Sequence, residues 1–268
     1  MRLTVHAEGP AIDLDRFVRA IPLLLDRARA VEFADDGRAV LSDRPADRLR
    51  IVDGTPGLPG SAYRVVSDDS EETTVTVTRD DTEAIEVELN TGGVRGAGSG
   101  SAGAGMITVE QPAEAARAQF SGVMTVDEAP RVVGSRWDVA GQVRLADWQT
   151  GTEPQLTMQL DGRLGSARST ARVERSSGGP GPIGAEAELW TVTLEIEMHP
   201  RGIARLASLA LPLMRRRVTA VIAEQITRTL VETADQIAQD FDPDDGPDEI
   251  ADRAWAIIVA DLTTPVAG

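Results

Sequence analysis

The residues of this chain best suited to acid–base chemistry are His199 and the two carboxylates that precede it, Glu195 and Glu197. The three alternate with apolar residues, so a β-strand would place all of them on one face. A histidine oriented by a carboxylate is the arrangement of a general base. The same pattern is typical of the solvated face of a strand end, which is the commoner occurrence. His6 lies in a shorter alternating segment and has no partner in the sequence nearby.

Two further motifs have the outline of ligand sites. Gly98–Gly103 matches the G-x-G-x-x-G pattern of dinucleotide-binding loops, which requires a helix directly after it. Met106–Val109 follows instead and alternates like a strand, so we interpret the motif as part of a flexible loop. Asp242–Gly246 resembles the start of a calcium loop, but Arg253 stands where the bidentate Glu is needed. This segment is therefore predicted to be an acidic, solvated linker.

One basic cluster, Arg215–Arg217, lies close in sequence to Arg201, Arg205 and the apolar run Ile203–Met214. One interpretation is a helix end that meets anionic lipid. The other is a core helix whose arginines reach water or pair with carboxylates. The formal net charge of −16 favours the second interpretation, because an anionic surface repels such a chain except very locally.

The composition excludes several classes of site. The 268 residues include 43 acidic and 27 basic residues, and every basic residue is Arg. An acidic chain is a poor candidate for nucleic-acid binding, which needs a positive patch. The absence of Cys excludes disulfides and thiol catalysis, the absence of Lys excludes a P-loop, and two His residues cannot form a multi-histidine metal site. We expect no cofactor and no metal.

The sequence also shows no signal peptide and no transmembrane segment. The N-terminal residues lack the apolar core of a signal peptide, and no apolar run approaches the roughly 20 residues that cross a bilayer. We therefore expect no transmembrane segment and a cytoplasmic protein.

The first 105 residues alternate between short strands and one helix. Residues 2–7 have the period of a strand that Gly9-Pro10 should break, and 14–30 have the period of a helix, in which Pro22 favours a kink or an early stop. Residues 91–105 are nearly all Gly, Ser and Ala, which predicts a mobile loop. Five short β-type segments lie between the helix and this loop: 39–41, 49–53, 62–66, 74–78 and 85–89.

The rest of the chain predicts longer strands followed by helices. The clearest strand is 185–199, in which Trp190, Leu194 and Met198 share one face. A long helix over 201–241, the acidic linker and a short helix over 248–262 come after it. Five strands are expected before it: 106–110, 118–126, 136–146, 154–161 and 167–175.

This order of elements resembles the START-like superfamily, which includes polyketide cyclase/dehydrase-type proteins and carbon monoxide dehydrogenase G-type proteins. The similar parts are Phe120–Val126, the strand Trp190–Met198 and Gly202–Leu206, which leads into an Arg-bearing helix. The resemblance covers about residues 106–241. It implies an α+β helix-grip fold, in which a curved antiparallel sheet wraps around a long C-terminal helix with an apolar cavity between them. Here extra N-terminal strands would be added.

These expectations lead to one main hypothesis and two alternatives. Residues 1–241 would form the START-like domain and bind a hydrophobic small molecule, such as a lipid or a polyketide-like compound, between sheet and helix. The first alternative is a cyclase or dehydratase with His199 or Glu195 as its base. The second is a protein–protein module that uses the tail, 242–268, and the helix of Trp255. The predicted cavity residues are the apolar side chains of the strand faces: Phe120, Met124, Trp137, Met158, Trp190 and Leu194.

Overall fold

The fold is described from a computed structural model. It covers residues 1–67, 72–92, 101–126, 136–145, 154–180, 186–202, 204–205 and 211–265. Thirteen antiparallel strands and three helices lie in these ranges, so the protein is of the α+β class. None of the described helices is both long and apolar enough to cross a bilayer.

The strands form one sheet in which almost every strand pairs with its neighbour in sequence. The spatial order runs β1-β13-β12 and then back stepwise to β2, so the first strand lies beside the last. The strands are β1 Arg2–Pro10, β2 Glu32–Phe33, β3 Arg38–Leu41, β4 Arg44–Asp53, β5 Ala62–Val66, β6 Glu72–Asp80, β7 Ala84–Gly92, β8 Ser101–Glu110, β9 Arg117–Val126, β10 Arg136–Arg144, β11 Leu156–Gly162, β12 Gly165–Pro180 and β13 Glu186–Pro200.

The pairing register divides the sheet into an apolar face and a polar face. Directly paired residues point to the same side of a sheet, so a row of partners can be followed from strand to strand. One such row joins Leu3, Ile196, Ser169, Met158 and Gly141. Arg2, Thr4 and their odd-numbered β13 partners Glu197 and Glu195 lie on the other side. The predicted alternation of β13 is therefore confirmed.

Two of the helices cover the β2–β5 end of the apolar face. Helix α1, Leu14–Arg29, packs against the last helix, α3, Pro247–Thr263, and α3 packs on β4. Phe17 of α1 meets Phe241 edge-on, with ring centroids 5.3 Å apart. Trp255 of α3 packs on the buried side chains of Ala39, Leu41 and Ala46. The early stop considered at Pro22 does not occur.

The long helix, α2, is described over Leu211–Asp240 and packs mainly on β1. Leu230 lies against Gly9, where a built Cβ would come 2.7 Å from the Leu230 Cβ. The Thr227 hydroxyl donates a hydrogen bond of 3.0 Å to the Glu8 carbonyl. Glycine at position 9 thus lets helix and strand approach closely, and β1 continues through Pro10 rather than breaking there.

The mobile loop predicted for 91–105 is wrong at both ends. Strand β7 extends to Gly92 and β8 begins at Ser101, while residues 93–100 lie outside the described residues. The composition was misleading because these glycines serve close backbone approach. A Cβ at Gly105 would lie 2.9 Å from the Ser121 carbonyl oxygen, and one at Gly122 would lie 2.6 Å from that of Ala104. Backbone pairing needs no side chain, so a glycine-rich segment forms a regular strand here.

Candidate functional site

An apolar cavity of about 420 Å³ lies between helices α1 and α3 and the first part of the sheet. We call it the helical cavity. Its volume lies within the range of small-molecule sites. Helix α1 provides four aliphatic side chains and α3 provides an aromatic and two aliphatic ones. The lining residues are Ile21, Leu24, Leu25, Ala28, Arg29, Val31, Phe33, Leu49, Gly57, Tyr63, Val65, Val75, Trp255, Ile258 and Leu262.

The Tyr63 hydroxyl, one of the few polar groups of the helical cavity, already has partners. It accepts a hydrogen bond of 2.8 Å from the Gly57 N–H and donates one of 3.2 Å to the Ser61 hydroxyl. Gly57 has a φ of +75°, a conformation that favours glycine and turns its N–H towards Tyr63. The Tyr63 ring also packs on Phe33, with centroids 5.6 Å apart. Tyr63 therefore presents mainly its ring to the cavity.

Arg29 lies at the rim and is held by carboxylates. Its Nε donates to Asp80 at 3.1 Å, and its other nitrogens donate to Asp80 at 2.5 Å and to Asp26 at 3.0 Å. The hydrogen bond with Asp80 raises the pKa of the Arg29 guanidinium above its ordinary value. The cation is thus permanent and neutralised locally, so the cavity itself carries no uncompensated charge.

A second cavity, of about 450 Å³, lies on the other side of Arg29 and shares Leu25 with the first. Its carboxylates are engaged in hydrogen bonds. Asp81 accepts from Arg79 at 2.7 Å and from the N–H groups of Glu83 and Ala84. The described residues contain no group of three or more potential ligands that could hold a metal ion.

A third cavity, of about 380 Å³, is an open groove on the apolar face of β7–β10. We call it the glycine trough. Its floor is formed by Gly103, Gly105 and Gly122, which leave room where side chains would otherwise stand. Phe120 and Met124 line it, and the Met124 side chain is 43% exposed.

The six predicted cavity residues all lie on the apolar face, but they are spread over it. Phe120 and Met124 line the glycine trough, and Trp137 is the direct partner of Met124. Met158 lies on β11, and Leu194 and Trp190 lie on β13 beside β1. Trp190 is buried, at 4% exposure. The structure therefore brings two of the six together in one cavity, and the role of the set in ligand binding stays a prediction.

Two aromatic side chains of this set pack over glycines of neighbouring strands. The Phe120 ring lies against Gly141 and the Trp137 ring against Gly162, and a side chain at either glycine would collide with the ring. Such cross-strand pairs hold aromatic rings close to the sheet. The space above the glycine trough consequently stays open.

The candidate base lies on the opposite side of the sheet from these cavities. Glu195 forms an ion pair with Arg2, and Glu197 lies 3.7 Å from the same side chain. His199 is exposed and follows their alternation. His6 also faces this side, with Nδ1 3.1 Å from the Thr193 hydroxyl. This geometry fits a solvated strand face.

The structure also places the basic residues, the acidic linker and Trp255 that the sequence singled out. Arg201 forms a bidentate pair with Asp161, at 2.9 and 3.2 Å, and Arg215–Arg217 are exposed on α2. In the acidic linker, Asp242 and Asp245 are bridged by Arg253. Trp255, which the interaction-module alternative would use, is partly buried against Ala39, Leu41 and Ala46.

Sequence reasoning missed the helical cavity because its walls come from distant segments. The periodicity did identify Ile21, Leu24 and Leu25 on one face of α1, and Trp255 and Ile258 among the apolar positions of α3. Nothing in the sequence indicated that these two faces meet, because they lie near opposite ends of the chain.

Comparisons with protein-family models, with curated proteins and with solved structures gave no match to this chain.

Proposed function

We propose that this protein binds a hydrophobic small molecule, lipid-like or polyketide-like, in the helical cavity. The observation that carries the proposal is a partly open cavity of about 420 Å³ lined by apolar side chains of α1, α3 and the sheet. Apolar side chains that line a partly open cavity are in contact with water, and an apolar ligand in the cavity would remove their surface from water.

The polarity of the lining supports the same class of ligand. The Tyr63 hydroxyl and the Arg29 guanidinium both have intramolecular partners, so a ligand gains little by bringing polar groups inside. A polar end group would remain at the rim, near Arg29 and Asp26. Catalysis by His199 or Glu195 has no comparable support, because both lie on the polar face.

The START-like relationship and the helix-grip arrangement belong to the same proposal. They are supported by the antiparallel sheet, the long helix after its last strand and the contact of Leu230 with Gly9. In this chain a cavity lined mainly by apolar side chains lies under α1 and α3, so the ligand site we propose uses the N-terminal strands and the tail helix.

The test uses a matched pair of substitutions on one strand. Val65 lines the helical cavity, whereas Val66, the next residue of β5, points to the other face of the sheet. Nile red should bind the parent protein near one equivalent. Val65→Phe should weaken this binding at least about tenfold by filling the cavity, with little change in the melting temperature, and Val66→Phe should leave binding unchanged.

A different result is expected if side chains already fill this space. A filled core would be overpacked by Val65→Phe, at a cost of about 1–3 kcal/mol. Loss of stability in a protein that never bound Nile red would overturn the proposal.

A further inference from the structure

We infer that the helical cavity and the glycine trough form one continuous track for a long, unbranched aliphatic chain. This inference rests on the proposed function and specifies its ligand class. It concerns the trough of β7–β10, which the binding of a compact molecule in the helical cavity would not require.

The pairing register joins the two cavities. Tyr63 and Val75 line the helical cavity, and Val75 is the direct partner of Leu89, which lines the glycine trough. The row continues through further direct partners on the apolar face: Gly105, Gly122 and Val139. Val75 of the helical cavity and Leu89 of the glycine trough lie on adjacent strands, so no strand separates the two cavities.

The dimensions of this row fit a long chain. From Tyr63 on β5 to Val139 on β10 it crosses five strand spacings, or roughly 24 Å at about 4.8 Å each. A long fatty acyl chain extended across the strands has a similar length. A compact polycyclic molecule would fill the helical cavity and leave the trough unused.

Where the two cavities meet, the track is lined by the apolar side chains of Val75 and Leu89. The polar side chains beside Val75 and Leu89 in the neighbouring row are Thr73 and Thr91, whose hydroxyls lie 3.2 Å apart and share one hydrogen bond. Because one hydroxyl donates to the other, the pair presents less polar surface to a passing methylene chain than two separate hydroxyls would.

The cross-section of the trough also favours a slender ligand. Gly103, Gly105 and Gly122 lower the floor, while Ile107 and Phe120 stand on one side and Met124 on the other. Larger residues at the glycine positions would fill this path. Gly105 and Gly122 are required for close backbone approach, but a Cβ at Gly103 would meet only the Val123 carbonyl oxygen, at an ordinary 3.6 Å.

Gly103 is therefore the position at which the trough can be filled without strain. We would measure displacement of Nile red by octanol, dodecanol and hexadecanol, whose head group is neutral. The parent protein should bind hexadecanol at least about tenfold more tightly than dodecanol, because each added methylene is buried in the trough. Gly103→Leu should abolish this difference and leave octanol binding unchanged.

Two further variants keep the result interpretable. Met124→Trp fills the trough from its wall and should have the same effect as Gly103→Leu. Ala140→Leu adds an aliphatic side chain to the opposite face of β10 and should change nothing. If hexadecanol binds no more tightly than dodecanol, or if both trough variants retain its full advantage, the track is excluded while the helical cavity can still bind. If no alcohol of any length displaces the dye, the proposed function itself fails.

Discussion

At the scale of single residues, Asp81 gives the clearest dependence on pH. The Arg79 side chain and the N–H groups of Ala84 and Glu83 donate to its carboxylate and lower its pKa from 3.8 to about 2. Because the folded state favours the charged form, this group stabilises the fold at pH values above about 4, and the contribution is lost as the pH falls from 4 towards 2. We expect Asp81→Asn to lower the melting temperature at pH 5 and to lower it much less at pH 2.

Circular dichroism melts at pH 5, 4, 3 and 2 would measure this effect. Asp43→Asn, at an exposed turn residue, is the matched control. An equal loss of melting temperature for Asp81→Asn at every pH would show that the effect does not come from the carboxylate charge.

Arg48 is the residue that fixes the end of helix α3 to the sheet. Its side chain is only 4% exposed, and it donates to the Thr264 carbonyl at 3.0 Å and to Asp261 at 3.2 Å. Arg48→Met should reduce the free energy of unfolding by about 1.5–3 kcal/mol, because a buried charged donor is lost. Denaturant melts would measure this, and Nile red binding should weaken because α3 forms a wall of the helical cavity.

Asp261→Asn provides the comparison for Arg48. Asp261 is 63% exposed, so loss of its charge should cost no more than about 1 kcal/mol. If the two variants were equally stable, the burial of Arg48 would contribute nothing to the docking of α3.

At the scale of elements, β13 tests the assignment of the two sheet faces. Leu194 is the partner of Val5 and Ala171, both buried. Leu194→Asp would place a charge among them and should cost several kcal/mol, whereas Thr193→Asp on the polar face should cost less than about 1 kcal/mol. Urea melts would measure the free energy of unfolding of the two variants. Equal values would contradict the assignment of Leu194 to the apolar face and Thr193 to the polar face.

The elements that the sequence predicted well are those with a strong local period. Alternation located β13 nearly to the residue, and the three-and-four spacing of apolar residues located α1. The two-residue β2 is too short to show any period. The second half of β8 was predicted as a strand over 106–110, but glycines that allow close backbone approach concealed its first half. The helical cavity escaped prediction for a different reason. Its walls meet through tertiary packing of α1 on α3, which no local pattern encodes.

At the scale of the whole molecule, the sheet order predicts when each part of the fold forms. Strands β2–β13 each pair with a neighbour in sequence, whereas β1 pairs with β13. Contacts between distant segments carry a larger loop-closure cost and tend to form late. Leu3→Ala, at a site 1% exposed, should therefore accelerate unfolding and leave the refolding rate nearly unchanged. Val87→Ala in the β6–β7 hairpin should slow refolding, as stopped-flow measurements would show.

The position of β1 beside β13 also matters while the chain is being synthesised. Leu3 and Val5 leave the ribosome long before their partners Ile196 and Leu194 are translated. Throughout this interval the apolar side chains of β1 have no partner strand, while the hairpins that follow β1 can already pair. Until then strand β1 is open to chaperones and to aggregation, and its capture completes the sheet only after β13 has emerged.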